Sequence, residues 1–169
     1  RRRASTSPER ETSACTSTPR CQPRSCGTAA CSMLHDPVRA ADTRGWLAKA
    51  RLDVRGAEVD LAASPPLCGD AAFHCQQAVE KALKAFLTWH DRPLRKSHDL
   101  VELGSQAVQL EPSLESLLRA AAPLTEYAWK FRYPGEPEEP TFAEARDALA
   151  LARDVLQAVV SRLPAGLEA

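Results

Sequence analysis

The stretch GDAAFHCQQAVEKALKAFLTWHD, residues 69–91, constrains the fold more than any other part of the chain. Ala72, Cys75, Val79, Ala82, Leu83 and Phe86 recur every three to four residues, which is the spacing of one face of an α-helix. The stripe is rich in small side chains, so neighbouring helices are expected to approach it closely. The opposite face carries Gln76, Gln77, Glu80, Lys81 and Lys84, with Glu80 and Lys84 in the favourable i, i+4 order.

The flanking sequence repeats this pattern. Asp36 and Pro37 form a helix start, an N-cap followed by a proline at the first helical position. Trp46, Leu47, Ala50, Val54, Ala57 and Leu61 then place one apolar face along a helix that Ser64-Pro65-Pro66 ends. A short helix is expected from Ser97, read as its N-cap, with Leu100, Leu103 and Val108 as core candidates. From Pro112, Leu114, Leu117, Leu118, Ala121, Leu124, Ala128 and Phe131 keep helical register, with Pro123 as a site for a kink. A last helix starts at Pro140-Thr141, stops at Pro164 and turns Phe142, Ala145, Ala148, Leu149, Ala152, Leu156, Val159 and Val160 inward. With no alternating strand pattern and no internal repeat, the expectation is an all-α, antiparallel up-and-down helical bundle of four long helices plus one short one.

The chain has 169 residues, 44% of them hydrophobic, enough for one domain with a core. The formal net charge is zero, so no global field favours nucleic acid or an anionic membrane. No apolar run is long enough to span a bilayer, and no signal peptide is evident; we expect a soluble, cytoplasmic protein without membrane contact.

Residues 1–32 differ in character from the rest. They hold no aromatic residue and carry six arginines against two glutamates, a net of +4 that leaves about −4 for the remainder. So little apolar surface cannot offset the entropy of ordering, and a disordered basic leader is expected before a domain over 33–169. It could be a transit peptide, although prolines and the lack of an apolar face argue against that, or a basic arm touching nucleic acid. We favour a translated upstream or expression-derived segment, because the single methionine, Met33, stands where folded-type sequence begins. Four of the six cysteines (Cys15, Cys21, Cys26, Cys31) lie here at spacings of six, five and five, without a C-x-x-C pair, so neither a disulfide framework nor a zinc site is expected.

The remaining question is YAWKFRYPGEPEE, residues 127–139, four aromatic rings and two cations in a chain that is 5% aromatic. Taken in order, AAFHCQQAVEKALKAFL, SHDLVEL, LTEYAWKFRYPGE and a final Ala/Leu-rich helix resemble the HEPN domain (higher eukaryotes and prokaryotes nucleotide-binding) over roughly Arg39 to Leu163. The resemblance implies a helical bundle, commonly dimeric, with a polar groove lined by the segment between the fourth and fifth helices. It also implies one of several classes: ribonucleases with an Arg-x4-6-His motif, including toxins of toxin–antitoxin systems; domains similar to the sacsin C-terminal domain, associated with nucleotide binding; and partners of a nucleotidyltransferase encoded nearby.

The residues discriminate among these classes. Arg132 occupies a place comparable to the motif arginine, but no histidine follows it, the last in the chain being His98. A formal Arg-x5-His joins Arg92 to His98, in a loop interrupted by Pro93, and reads as a chance match; His98 is expected to bond locally at a helix start. His74 has Gln77 and Ala78 at i+3 and i+4, so no metal ligand set is expected. Gln77, Lys81 and Lys84 share a face that suits an anion or a solvated surface equally. Tyr127, Ala128 and Phe131 continue the core register, and Pro134-Gly135 is a turn. Trp129 and Tyr133 are expected across the bundle end or a dimer seam. Arg132 is the residue best suited to hold phosphate bidentately while stacking on a ring. No phosphate-cradling glycine loop, zinc-protease or serine-hydrolase motif occurs.

The expectation is therefore a homodimeric, non-catalytic domain of the sacsin-like or nucleotidyltransferase-associated class. It would bind a nucleotide or similar polyanion near Gln77, Lys81, Lys84, Lys130, Arg132 and Tyr133, with no further cofactor and no metal, possible company being a nucleotidyltransferase. The rival is a metal-independent ribonuclease acting on RNA through His98 with Arg92 or Arg132. A third reading is a purely structural interaction module.

Overall fold

The computed structural model describes residues 36–94, 97–131 and 139–167. The leader, Arg132, Tyr133 and the Pro134-Gly135 turn lie outside the described residues.

Asp36 accepts from the Val38 amide at 2.9 Å and caps α1, Pro37–Ala62. The Asp60 carbonyl then takes both the Ala63 and the Leu67 amides and closes the connection to α2, Cys68–Trp89. Asp91 ends α2 in the left-handed region, φ 56°, which lets the Arg92 amide return to the Leu87 carbonyl at 2.9 Å. Helix α3, Leu100–Leu110, is capped by Asp99, which accepts from the Val101 and Glu102 amides. Ser97, the expected cap, instead accepts from the Asp99 amide at 3.2 Å and shapes the approach. Asp99 wins because it stands immediately before the first helical residue, within reach of both orphan donors.

The run from Pro112 is segmented: a 3-10 turn over Pro112–Leu114, α4 over Glu115–Ala121, then a 3-10 segment over Ala122–Ala128. Pro123 lacks the amide that would continue the α-helical ladder, and the tighter winding begins there. Helix α5, Phe142–Val160, opens on a capping box in which Thr141 and Glu144 satisfy one another's backbone amides.

Among the described residues no strand occurs, and the helices form an antiparallel bundle around α2. Helix α2 touches α1, α3, α5 and the Ala122–Ala128 segment. The expected stripe of α2 is buried throughout, as are Leu47, Ala50, Val54 and Ala57 of α1 and Ala145, Ala148, Leu149, Ala152, Val159 and Val160 of α5. Phe142 departs from expectation: at the first position of α5 it is half exposed. Trp129 is likewise half exposed.

Candidate functional site

Helix α2 has neighbours on more than one side, so its polar face is not a solvated surface. Gln76 is fully buried, Glu80 is 3% exposed and Lys84 is 8% exposed. Groups this buried need partners, and they find each other. The Glu80 Oε1 accepts from Lys84 Nζ at 2.7 Å, and Oε2 accepts from Gln76 Nε2 at 3.0 Å. Burial alone would raise the Glu80 carboxyl, but hydrogen bonds from Lys84, Gln76 and His98, together with the Lys84 charge, more than reverse that and hold it below the ordinary carboxylate value. On its other side Lys84 sits 5.4 Å from the centroid of the Trp46 ring.

This network reaches the surface at His98. Its Nδ1 lies 3.0 Å from Glu80 Oε2, while the side chain is 69% exposed. Gln76 Nε2 also donates to the His98 carbonyl at 3.2 Å, so the loop is held at both backbone and ring. With Nδ1–H directed at Glu80, Nε2 is the nitrogen left for an outside partner. A surface imidazole anchored on a buried, ionised carboxylate can accept or donate a proton, or hydrogen-bond a phosphate oxygen. The sequence reading of His98 as a locally bonded helix-start residue is therefore corrected: its partner is 18 residues away on α2.

The other candidates sit as follows. Lys81 is bound to Asp53 of α1 at 2.5 Å, and Gln77 Nε2 donates to Gln76 Oε1 at 2.7 Å. Neither lysine of α2 is a free cation. Arg92 is exposed and lines a surface cleft of about 320 Å³ with Arg39, Asp42, Trp46, Thr88 and Asp91. Arg92 attaches at the level of Leu87 and His98 at that of Glu80, about 10 Å apart along the α2 axis. Lys130 pairs with Glu126 at 3.1 Å, in the segment whose Phe131 packs near Gly69 at the start of α2. Lys84 lies 15 residues further along α2, about 22 Å, so Lys130 and Lys84 do not face one small ligand. The Tyr127 and Phe131 rings lie 5.5 Å apart at a tilt, and with Ala128 they are only half-buried: the expected core register gives way where the 3-10 segment ends, and of the three only Tyr127 packs against the core.

A second polar cluster lies on the α1 side of α2. His74 rests over Gly56, with Nδ1 3.4 Å from Asp53 and Nε2 3.8 Å from Asp60. Asp60 Oδ2 is buried without a hydrogen bond, and burial raises its carboxyl despite the opposing His74, with Asp70 adding to the rise. Sequence spacing missed this cluster because the carboxylates come from the other helix rather than from i+3 or i+4. Among the described residues no group of three or more His, Cys, Asp or Glu side chains is arranged to hold a metal ion. No helix among them is long and apolar enough to cross a membrane.

Comparison with known proteins agrees with the bundle. The HEPN domain profile matches residues 43–163. A crystal structure of TT1696 from Thermus thermophilus is 30% identical, with a TM-score of 0.57, over 74% of this chain and 98% of that one. No curated protein matches. The matched span runs from within α1 to just past the end of α5, Glu80 and His98 included, and the chain belongs to the HEPN domain family.

Proposed function

We propose that the chain is a non-catalytic, homodimeric HEPN domain that binds a nucleotide or similar polyanion and acts beside a nucleotidyltransferase. The observation that carries the binding is His98: an exposed imidazole, anchored through Nδ1 on a buried carboxylate, with Nε2 available to a phosphate oxygen. Lys84, Lys81 and Gln77 contribute by holding Glu80, Asp53 and Gln76 in place. Lys130, with Arg132 and Tyr133, supplies a second contact region of the same reading. A panel of nucleoside triphosphates in calorimetry and thermal-shift assays tests it. Ligand at a hundredfold excess over its Kd stabilises a fold by about 2.7 kcal/mol, so a binder raises Tm measurably. No shift at millimolar ligand refutes the binding, and an Arg132→Ala variant with unchanged affinity removes Arg132 from it.

The same pair favours a second reading, a metal-independent ribonuclease in which His98 moves the proton and Arg92 or Arg132 steadies the phosphate. A carboxylate-held histidine is what general acid–base chemistry requires. It predicts RNA cleavage that His98→Ala abolishes and Glu80→Gln strongly reduces; RNA left intact by the purified wild-type chain refutes it.

A further inference from the structure

The described histidines, His74, His90 and His98, differ in what their ring nitrogens face. His74 has a carboxylate near each nitrogen, Asp53 at 3.4 Å from Nδ1 and Asp60 at 3.8 Å from Nε2. His90 rests against Phe86, ring centroids 4.5 Å apart, with no carboxylate paired to its ring among the described residues. His98 combines an anchored nitrogen with an open one. Its Nδ1 is held 3.0 Å from Glu80 Oε2, while the side chain is 69% exposed. An ionised carboxylate only accepts, so the neutral ring carries its proton on Nδ1 and its lone pair on Nε2.

We propose that His98 Nε2 is a phosphoryl acceptor, a modification site for an activated donor of the acyl phosphate class. The Nε2 lone pair forms the N–P bond, the bond between phosphorus and the acyl oxygen breaks, and the carboxylate departs with that electron pair. The ring keeps its Nδ1 proton and becomes positive, carrying the dianionic phosphoryl group on Nε2. The donor class follows from where the proton is. A carboxylate leaves as a stable anion and needs no proton from the protein, which suits a ring whose own proton is committed to Glu80 on the far side. The positive charge that develops on the ring is met by a negative charge already fixed 3.0 Å away, in place before the reaction begins.

The surroundings keep that carboxylate charged and in position. Lys84 donates to Oε1 at 2.7 Å and Gln76 to Oε2 at 3.0 Å, so Glu80 stays ionised and does not turn away as the ring charge changes. Gln76 also donates to the His98 carbonyl at 3.2 Å, which fixes the backbone from which the ring projects. Glu80 is thus a positioning residue for the nucleophilic nitrogen. The modification goes beyond the nucleotide reading and does not depend on it, since it needs access to one nitrogen and is read with no nucleotide present.

Incubation of the full chain with acetyl phosphate near neutral pH tests the assignment. Intact mass should show one added phosphoryl group, stable in base and lost in acid, and peptide mapping under basic conditions should place it on His98. His90, an exposed imidazole without a carboxylate partner, is the internal reference and should label far more slowly. Glu80→Gln keeps the shape of the side chain and removes its charge; it should slow His98 labelling by about 100-fold and leave His90 labelling unchanged, a split that a merely structural role would not produce. If circular dichroism shows Glu80→Gln to be unfolded, Lys84→Met/Glu80→Gln, with no stranded charge, carries the same comparison. Nitrogen-15 NMR of wild type should show the Nδ1–H tautomer at His98. An unlabelled wild type overturns the assignment, and so does the Nε2–H tautomer. Equal labelling of His90 and His98, or a Glu80→Gln variant that labels at the wild-type rate, overturns it as well, because the reaction is then that of any exposed imidazole. Nucleotide binding is measured separately, and its failure leaves the labelling outcome to stand or fall alone.

Discussion

Replacing Lys84 with methionine isolates the cost of the buried network. Methionine keeps most of the aliphatic stem that packs beside Trp46 and removes only the ammonium. Glu80, 3% exposed, then retains Gln76 and His98 as donors but loses its single buried cation. Removing one member of a buried ion pair costs about 3 to 5 kcal/mol. With two donors remaining, the lower end applies, about 3 kcal/mol, which for a domain of this size lowers Tm by roughly 10 °C. The pH dependence gives a sharper check. In wild type the folded-state Glu80 carboxyl lies below its ordinary value, so its contribution is fully present above about pH 4.5 and is lost as pH falls through the folded value. Lys84→Met removes the hydrogen bond and the charge of Lys84 that offset burial, so the Glu80 carboxyl rises relative to wild type and less stability is gained from its ionisation. The deficit measured by urea unfolding should therefore shrink between pH 7.5 and pH 4.5. In Lys84→Met/Glu80→Gln, which removes the stranded charge, most of the loss should be recovered at pH 7.5. A Lys84→Met variant within 0.5 kcal/mol of wild type at neutral pH, taking ~0.5 as the scatter of ordinary surface substitutions, refutes the view that this pair is buried and coupled.

Three further outcomes follow from single sites. Burial pushes the Cys75 thiol up to about 12, so iodoacetamide under native conditions should leave Cys75 unlabelled while half-buried Cys68 reacts, as read by peptide mass spectrometry; equal labelling would contradict the packing of α2. Thr141→Ala removes the N-cap bond to the Glu144 amide and should cost about 1 kcal/mol in urea unfolding, a loss that Thr141→Ser avoids. Asp60→Asn removes a desolvated carboxylate whose folded-state pKa is raised, a penalty present at neutral pH and relieved as pH falls through that value. The variant should be more stable than wild type at pH 7.5 in urea unfolding, with the gain vanishing in acid; a loss at pH 7.5 would mean that His74 depends on the Asp60 charge.

The bundle was legible because helix starts, stops and core faces are local signals. Asp36-Pro37, Thr141 and the Ala72–Phe86 stripe each announce a boundary or a face within a few residues. Two features were not local. The N-cap of α3 fell to Asp99 rather than Ser97, a choice between good caps two residues apart that depends on where the chain first turns helical. Phe142 fits the periodicity of α5 yet is half exposed, because periodicity marks a face and not whether another element reaches that end of it.

The candidate site was the least legible part, for a reason that follows from the position of α2. A pattern with apolar residues on one side and Gln76, Glu80 and Lys84 on the other reads as a surface helix, since most helices have solvent opposite their core face. Here α1, α3, α5 and the Ala122–Ala128 segment surround α2, and the polar side is enclosed as well. Enclosing a glutamate and a lysine is costly unless their bonds are completed, and completing them draws in Gln76 from α2 itself and His98 from a distant loop. The favourable Glu80–Lys84 spacing was visible; its burial was not, and the burial turns an ordinary surface pair into an anchor. A histidine bonded to a solvated glutamate would sample many orientations. Bonded to a carboxylate that Lys84 and Gln76 already fix, the His98 ring has one preferred orientation and directs Nε2 outward, which gives a surface residue the geometric definition that binding a phosphate oxygen or moving a proton requires.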